Sequence, residues 1–448
     1  MTSAAAPELR LRPVLPSGGA PSWGGALWIG EVWLDDIAPD RPPVRCRLES
    51  AAGYRRAKLL VRSAAGPLGF VEVAVSEGEV EFAELAARVD GLRPAPARQT
   101  AAEAREDDAI AVTVVVCTRD RPAMLSVALE SILAVDYPNF DVIVVDNAAT
   151  TDGTRAYVAG LCDPRVRLIS EPHPGLSRAR NRGLLEATGE IVAFTDDDVV
   201  VDRWWLRALV DGFGRAPSVG CVSGIVAAAE LRTPAQAYFE RRVSWSETTE
   251  ARVFDWDQPP ADIPLFPFAV RHYGTGANFA VARDVIQQLA GFDELLGAGT
   301  PSGGGEDLDV FFRVLRSGAQ LVYDPAAIVW HRHRASNDEV LKQSGTYGLG
   351  LGAWFAKLAR DPKTAWLVGK TVALRTPALI RHLRAATVEA SPVPELETLL
   401  PADLGAKPWR SIGRGAWAYL SGAGGRRTPA PLDVRGRLGT ALDRVGQP

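Results

Sequence analysis

Three consecutive carboxylates, Asp196, Asp197 and Asp198, follow the apolar run Ile191-Val192-Ala193-Phe194-Thr195. A short β-branched and aromatic run of this kind reads as a buried strand, and open α/β sheets bind ligands at the C-terminal ends of such strands. Adjacent like charges repel and resist desolvation, so a counter-charge is required nearby. A hard divalent cation such as Mg²⁺ or Mn²⁺, shared with substrate phosphates, meets that requirement. A solvated turn that caps a helix meets it equally well. A second acidic group, Glu306-Asp307 with Asp309, follows Gly303-Gly304-Gly305 and opens a helical pattern, where a general base or helix-dipole partners are the two readings. Asp146 closes another apolar run, as a ligand-facing carboxylate or an Asx-turn residue.

The elements around these residues alternate. Strands are predicted at Val112–Cys117, Val142–Val145, Val166–Ile169, Ile191–Thr195, Val219–Val226 and Asn278–Val281, with late strands at Leu321–Tyr323 and Ile328–Trp330. Between them fall helices at Met124–Ala134, Leu176–Ala187, Arg203–Phe213 (capped by Asp202), Arg283–Leu289 and Glu306–Arg316. This rhythm predicts an α/β, doubly wound, mostly parallel sheet. Residues 1–92 read as a β-rich accessory domain with strands at Leu27–Leu34, Lys58–Val61 and Phe70–Val75. Residues 93–111 read as an Ala- and Pro-rich linker, 112–335 as the α/β domain that carries these carboxylates and 336–448 as a helical C-terminal extension.

Composition narrows the function classes. The 448 residues are 47% hydrophobic and 23% charged, so two or three globular domains are expected. The net charge of −4 conceals an imbalance, because 16 Lys/Arg face 9 Asp/Glu from Ser336 onward. That excess is too diffuse for nucleic-acid binding and better suits peripheral contact with an anionic membrane. The region supplies Trp354, Phe355, Trp366 and Leu367 near Lys357, Lys363 and Lys370 for an interfacial anchor, or equally for packing on the catalytic domain. Cys46, Cys117, Cys162 and Cys221 form no CxxC pair. Cys117 and Cys221 lie in strand-like runs as buried free thiols, which suits a reducing compartment. With no basic-then-apolar leader and no apolar stretch of ~18 residues, the expected location is cytoplasmic, with possible attachment to the inner face of the membrane.

From Val112 to about His331 the chain resembles the family-2 inverting glycosyltransferases, whose domain has the GT-A nucleotide-diphospho-sugar transferase fold, a doubly wound mixed sheet. The resemblance rests on six motifs in order: Cys117-Thr118-Arg119-Asp120-Arg121-Pro122, Val144-Val145-Asp146-Asn147, Gly175–Gly183, the aspartate triplet, Gly274-Thr275-Gly276-Ala277-Asn278, and Gly303–Asp309. It implies a metal-dependent transfer from a nucleotide-diphospho-sugar to a carbohydrate or lipid-linked acceptor. By resemblance, Asp146 and Thr118 contact the donor base, Arg180 the base or phosphates, and Asp196 the ribose or metal. Asp198 then ligates the metal with Asp196, and for His331 a further ligand role and a structural role at the strand end both stay open. Asp307 becomes the general base and Glu306 its partner, while Gly276, Ala277 and Trp205 line the acceptor side. Tyr238, Trp245, Trp256 and Tyr273 are either sugar-stacking or core aromatics. A sugar-phosphate nucleotidyltransferase is the competing enzyme class, but the turn after the first strand lacks its glycines. A non-catalytic sugar-binding module is the competing non-enzyme class.

Overall fold

In the computed structural model, residues 8–37, 45–92, 110–243, 245–371, 373 and 408–422 are described. Two small sheets come first. Strands β1 (Glu8–Leu11), β3 (Arg45–Leu48) and β6 (Glu79–Val80) form one, and β2 (Leu27–Trp33), β4 (Arg56–Ser63) and β5 (Gly66–Ala74) the other. Helix α1 (Phe82–Asp90) closes them over a core built around Trp28, Leu59, Val61 and Leu85. The predicted linker lies largely in 93–109, outside the described residues.

The large sheet has nine strands: β7 (Val112–Thr118), β8 (Phe140–Asn147), β9 (Val166–Glu171), β10 (Ile191–Asp196), β11 (Val199–Val201), β12 (Val219–Ala228), β13 (Arg252–Phe254), β14 (Asn278–Ala282) and β15 (Gln320–His331). Their order is β11-β15-β12-β14-β10-β7-β8-β9, with β13 also paired to β15. Strands β7, β8, β9 and β10 run parallel, as do β12 and β15, and their near-continuous apolar sequences fit burial on both faces. Six of the nine strands share one direction and three oppose them, the mixed sheet that the resemblance implies. Strand β14 is antiparallel to both β10 and β12, while β11 and β13 run antiparallel to β15, so the sheet is mixed.

Helices α2 (Pro122–Leu133), α3 (Gly153–Leu161), α4 (Leu176–Glu186), α5 (Trp205–Phe213), α6 (Pro234–Val243), α7 (Arg283–Gln288) and α8 (Glu306–Arg316) connect the strands. Pro122 starts α2 at a position where its missing N–H is not needed. The two predicted late strands are one strand, β15. Asp324-Pro325 reads as a breaker, but a register shift opposite Ser223/Ile225 absorbs it, and Asp324 is satisfied by Arg215 Nε at 2.8 Å. Helix α5 begins two residues later than expected.

After the sheet, α9 (Asn337–Arg360) starts at a capping box in which Ser336 and Glu339 bond each other's backbone N–H. Residues 362–371 are helical, and α10 (Pro408–Gly422) packs along α9. The contact needs glycine on both helices. A Cβ on Gly352 would stand 1.9 Å from Ile412 O, and one on Gly415 would stand 1.9 Å from Leu349 O. On another side of α9, a Cβ on Gly305 would lie 2.6 Å from Gly350 O, at a φ of +90°. The Gly303–Gly305 run therefore seats α8 directly against α9.

Two residues of the C-terminal region take the packing alternative. Trp354 is fully buried against Phe312, and Lys357 reaches inward to Asp293 and Asp309, each at 2.8 Å. Trp366 and Phe355 remain exposed. Among the described residues no helix is long and apolar enough to cross a membrane.

Candidate active site

The C-terminal ends of β7, β8 and β10 open into a cleft of about 380 Å³, closed on its other sides by the 275–277 and 298–299 loops, α8 and α9. The aspartate triplet forms its floor. Asp198 carries the densest ring of cations: His331 Nε2 at 3.3 Å, Arg121 Nη1 at 3.1 Å and Arg334 Nη2 at 3.4 Å. Burial alone would raise its pKa, but His331, Arg121 and Arg334 hold it well below the ordinary carboxylate range. Burial would likewise lower His331, and the Asp198 charge raises it instead.

Asp197 is not merely the residue between two ligands. It is fully buried, accepts from Thr118 Oγ1 at 2.7 Å and from Arg121, and so laces β10 to β7. Desolvation and the Asp198 charge push it up to about 7. Ligand atoms of Asp196, Asp198 and His331 lie within 4.8 Å of one another. Two carboxylate oxygens with one imidazole nitrogen form a donor set that fits Mg²⁺ or Mn²⁺.

Arg180 is the hub of the opposite wall. Among the alternating Arg178, Arg180 and Arg182, only Arg180 turns inward; Arg178 pairs with Glu294 and Arg182 with Glu186 at the surface. Its guanidinium donates to Gly276 O at 2.9 Å, Glu306 Oε1 at 3.2 Å and Asp196 Oδ1 at 3.4 Å. It therefore ties the triplet to the 275–277 loop and to α8. Gly276 N in turn donates to Asp307 Oδ2 at 3.0 Å, and Thr195 Oγ1 donates to Ala277 O at 2.8 Å. Asp307, Glu306, Gly276 and Ala277 all face the cleft. Asp309 points away, held by Arg313 at 2.6 Å and Lys357 at 2.8 Å.

At the β8 end, the Asp120 carboxylate accepts from the backbone N–H and hydroxyl groups of Thr150 and Thr151, pinning the β7–α2 turn to the β8–α3 loop. These bonds, led by Thr150, hold Asp120 down at about 2. Asn147 spans to the next wall: its amide donates to His173 O at 2.7 Å, and its Oδ1 accepts from Gly175 N at 3.0 Å. Asp146 sits between these braces with Oδ1 buried and without a hydrogen-bond partner. A buried acceptor left open in this way suits a ligand N–H. Desolvation raises Asp146 above the ordinary range.

Trp205 is a correction. It stands beside the triplet in sequence, yet α5 turns its indole into the core, where Nε1 donates to Asn278 Oδ1 at 2.8 Å and no surface remains for an acceptor. Tyr273 is also core, and Trp256 packs on Phe312, whereas Trp245 faces the cleft. Cys117 is half-buried at the cleft wall rather than in the core, its thiol pushed up to about 12 by desolvation.

Sequence reasoning missed Arg121 and Arg334 as counter-charges, and Gln343 and Tyr347 of α9 as part of the wall. Arg121 had a signal, since the parallel register that sets Cys117 beside Asp196 carries the following turn to the triplet. The α9 residues had none.

Residues 113–287 match the family model described as glycosyl transferase family 2. A pre-mycofactocin glycosyltransferase of Mycobacterium tuberculosis is 30% identical over 260 residues, 57% of this chain and 50% of that protein. The chain thus spans about half the length of that curated relative. Succinoglycan biosynthesis protein ExoM of Rhizobium meliloti is 28% identical over 271 residues, covering 58% of this chain and 80% of its own. Among solved structures, a mannosyltransferase of Pyrobaculum calidifontis in complex with GDP-Man and Mn²⁺ is similar at a TM-score of 0.42 and 22% identity, over 72% of this chain and 78% of that one. With its six motifs gathered at one end of a mixed α/β sheet, the chain is similar over residues 113–287 to glycosyl transferase family 2.

Proposed function

We propose that the chain is an inverting glycosyltransferase that moves a sugar from a nucleotide-diphospho-sugar to an acceptor hydroxyl with a divalent ion. The observation that carries this reading is the single cleft in which Asp196, Asp198 and His331 face Asp307 across Arg180. Relatives named for succinoglycan and O-antigen biosynthesis support a role in cell-envelope glycan synthesis, with a carbohydrate or lipid-linked acceptor.

Asp146 Oδ1 accepts an N–H of the donor base in the recess braced by Asp120 and Asn147. Asp196, Asp198 and His331 would hold Mg²⁺ or Mn²⁺, which neutralises charge building on the departing diphosphate. Arg121 and Arg334 add positive charge on the same side. Asp307, oriented by the Gly276 N–H, takes the proton of the acceptor hydroxyl as its oxygen attacks the anomeric carbon. One displacement from the face opposite the leaving group inverts the anomeric configuration. Glu306, anchored on Arg180, fixes the helix turn that presents Asp307.

Paired variants test these roles. Asp307→Asn should retain Mn²⁺-dependent donor binding and lose transfer by roughly 10²–10⁴-fold, the ordinary contribution of a general base. Asp198→Ala should lose metal-dependent donor binding itself. Calorimetry with UDP, GDP and dTDP sugars reads the binding, and full transfer in Asp307→Asn would overturn the base assignment. Donor binding with no transfer to any acceptor by the unaltered chain would favour a binding module instead.

A further inference from the structure

The metal-facing histidine continues into a buried chain of hydrogen bonds that the glycosyl-transfer chemistry does not use. His331 Nδ1 lies 3.0 Å from His333 Nδ1, and His333 Nε2 lies 3.0 Å from Glu240 Oε2 on α6. Glu240 Oε1 accepts from Lys58 Nζ at 2.8 Å and from Ser246 Oγ at 3.1 Å. Lys58 belongs to β4, in the N-terminal sheets. The path therefore starts at the cleft and ends in another domain. His331, His333 and Glu240 are buried, and Lys58 is mostly so. Phe239 meets the His333 ring edge-on at 4.8 Å and keeps water from the relay.

The direction of the links is set from the Glu240 end. Glu240 is a carboxylate facing an ammonium, so it accepts from His333, whose Nε2 must carry a proton. His333 Nδ1 is then the acceptor, and His331 must donate from its own Nδ1. His331 Nε2, the atom turned toward Asp198, is then the nitrogen free to exchange its proton for a cation.

Resting on the metal reading above, we propose that Lys58 of the N-terminal domain is a positioning residue that acts through Glu240 and His333 to fix His331 as a metal ligand. The N-terminal sheets are, on this reading, part of the metal site.

Mn²⁺ affinity of the full chain, read by electron paramagnetic resonance, tests this without any transfer assay. Glu240→Gln should weaken Mn²⁺ binding by roughly 10–100-fold, the usual effect of losing an outer partner of a metal-bound histidine. Lys58→Met should weaken it in the same direction and Lys58→Arg should restore it. Trp33→Leu loosens the same domain boundary, where Trp33 meets Trp204 edge-on, and should lower the melting temperature without changing Mn²⁺ affinity. Unchanged affinity in Glu240→Gln and Lys58→Met overturns the relay, as does an equal loss in Trp33→Leu. An unaltered chain that binds no Mn²⁺ overturns the metal reading and the proposal with it. Long-range ¹H–¹⁵N spectra of the five histidines give an independent check. His333 should carry its proton on Nε2, and an Nδ1–H at His333 overturns the proposal even if a variant fails to fold.

Discussion

Glu306 is buried in the first turn of α8 with one close cation, Arg180. Desolvation and the charge of Asp307 push it up to about 7 despite that cation. A folded value above the unfolded one means that the folded chain binds the extra proton. Stability from Glu306 is therefore complete below the ordinary glutamate range and is lost as pH rises through about 7. Glu306→Gln removes the loss. Its melting temperature relative to the unaltered chain should rise steadily between about pH 5 and about pH 8, measured without metal or donor. A difference independent of pH would show that burial leaves Glu306 in its ordinary range. At this scale, strand ends were the legible positions: Asp196, Asp198 and His331 follow apolar runs and line the cleft, whereas Asp146, which also closes an apolar run, stays outside its lining. Trp205 was not legible, because proximity to Asp198 along the chain says nothing of which way a helix turns its indole. Lys58 was beyond reach, as its partner Glu240 lies 182 positions away.

The elements were legible wherever one period dominated. Strands β7 and β10 and helix α8 follow their apolar patterns closely. The antiparallel β14 was visible as a strand, but its direction depends on the irregular 245–277 region, which has no period to read. The glycines of α9 were visible without their purpose, since Gly350 faces the Gly303–Gly305 run while Gly352 faces α10. Gly352→Ala places a methyl where the Ile412 carbonyl stands, and backbone cannot step aside as a side chain can. Overpacking of this kind costs about 1–3 kcal/mol. Thermal unfolding should register that loss, and crystallography should find α10 shifted from α9. An unshifted α10 with undiminished stability would mean that the helix contact is loose.

Across the whole molecule, the N-terminal sheets are joined to the large sheet by charge as well as by packing. Arg62 of β4 forms a fork with both oxygens of Asp202 and also reaches Glu31 at 2.9 Å. Leu27, Ile29 and Leu60 of the N-terminal sheets belong to the same core as β15, and Phe70 meets Trp330 edge-on at 6.1 Å. The basic C-terminal third presents Trp366 at 66% and Trp417 at 73% exposure, with Lys370 Nζ 5.0 Å from the Trp366 ring. We propose that these exposed aromatics carry the contact with an acidic membrane that the basic C-terminal region leads one to expect. The chain should float with vesicles containing acidic lipid and less with neutral ones, and Trp366→Ser should weaken the association. Failure to float with either removes that contact from the functional reading.

The shared core also has a timetable. Phe70 is made 260 residues before Trp330, the side chain that covers it. At ~5–20 residues per second, translation takes roughly 13–50 s to close that gap. Until Leu231 and then Trp330 are made, the apolar face of Leu27, Ile29, Leu60 and Phe70 lacks the partners it meets in the later part of the chain. The surface that later brings Lys58 to the metal site must first survive as an exposed hydrophobic sheet on a nascent polypeptide.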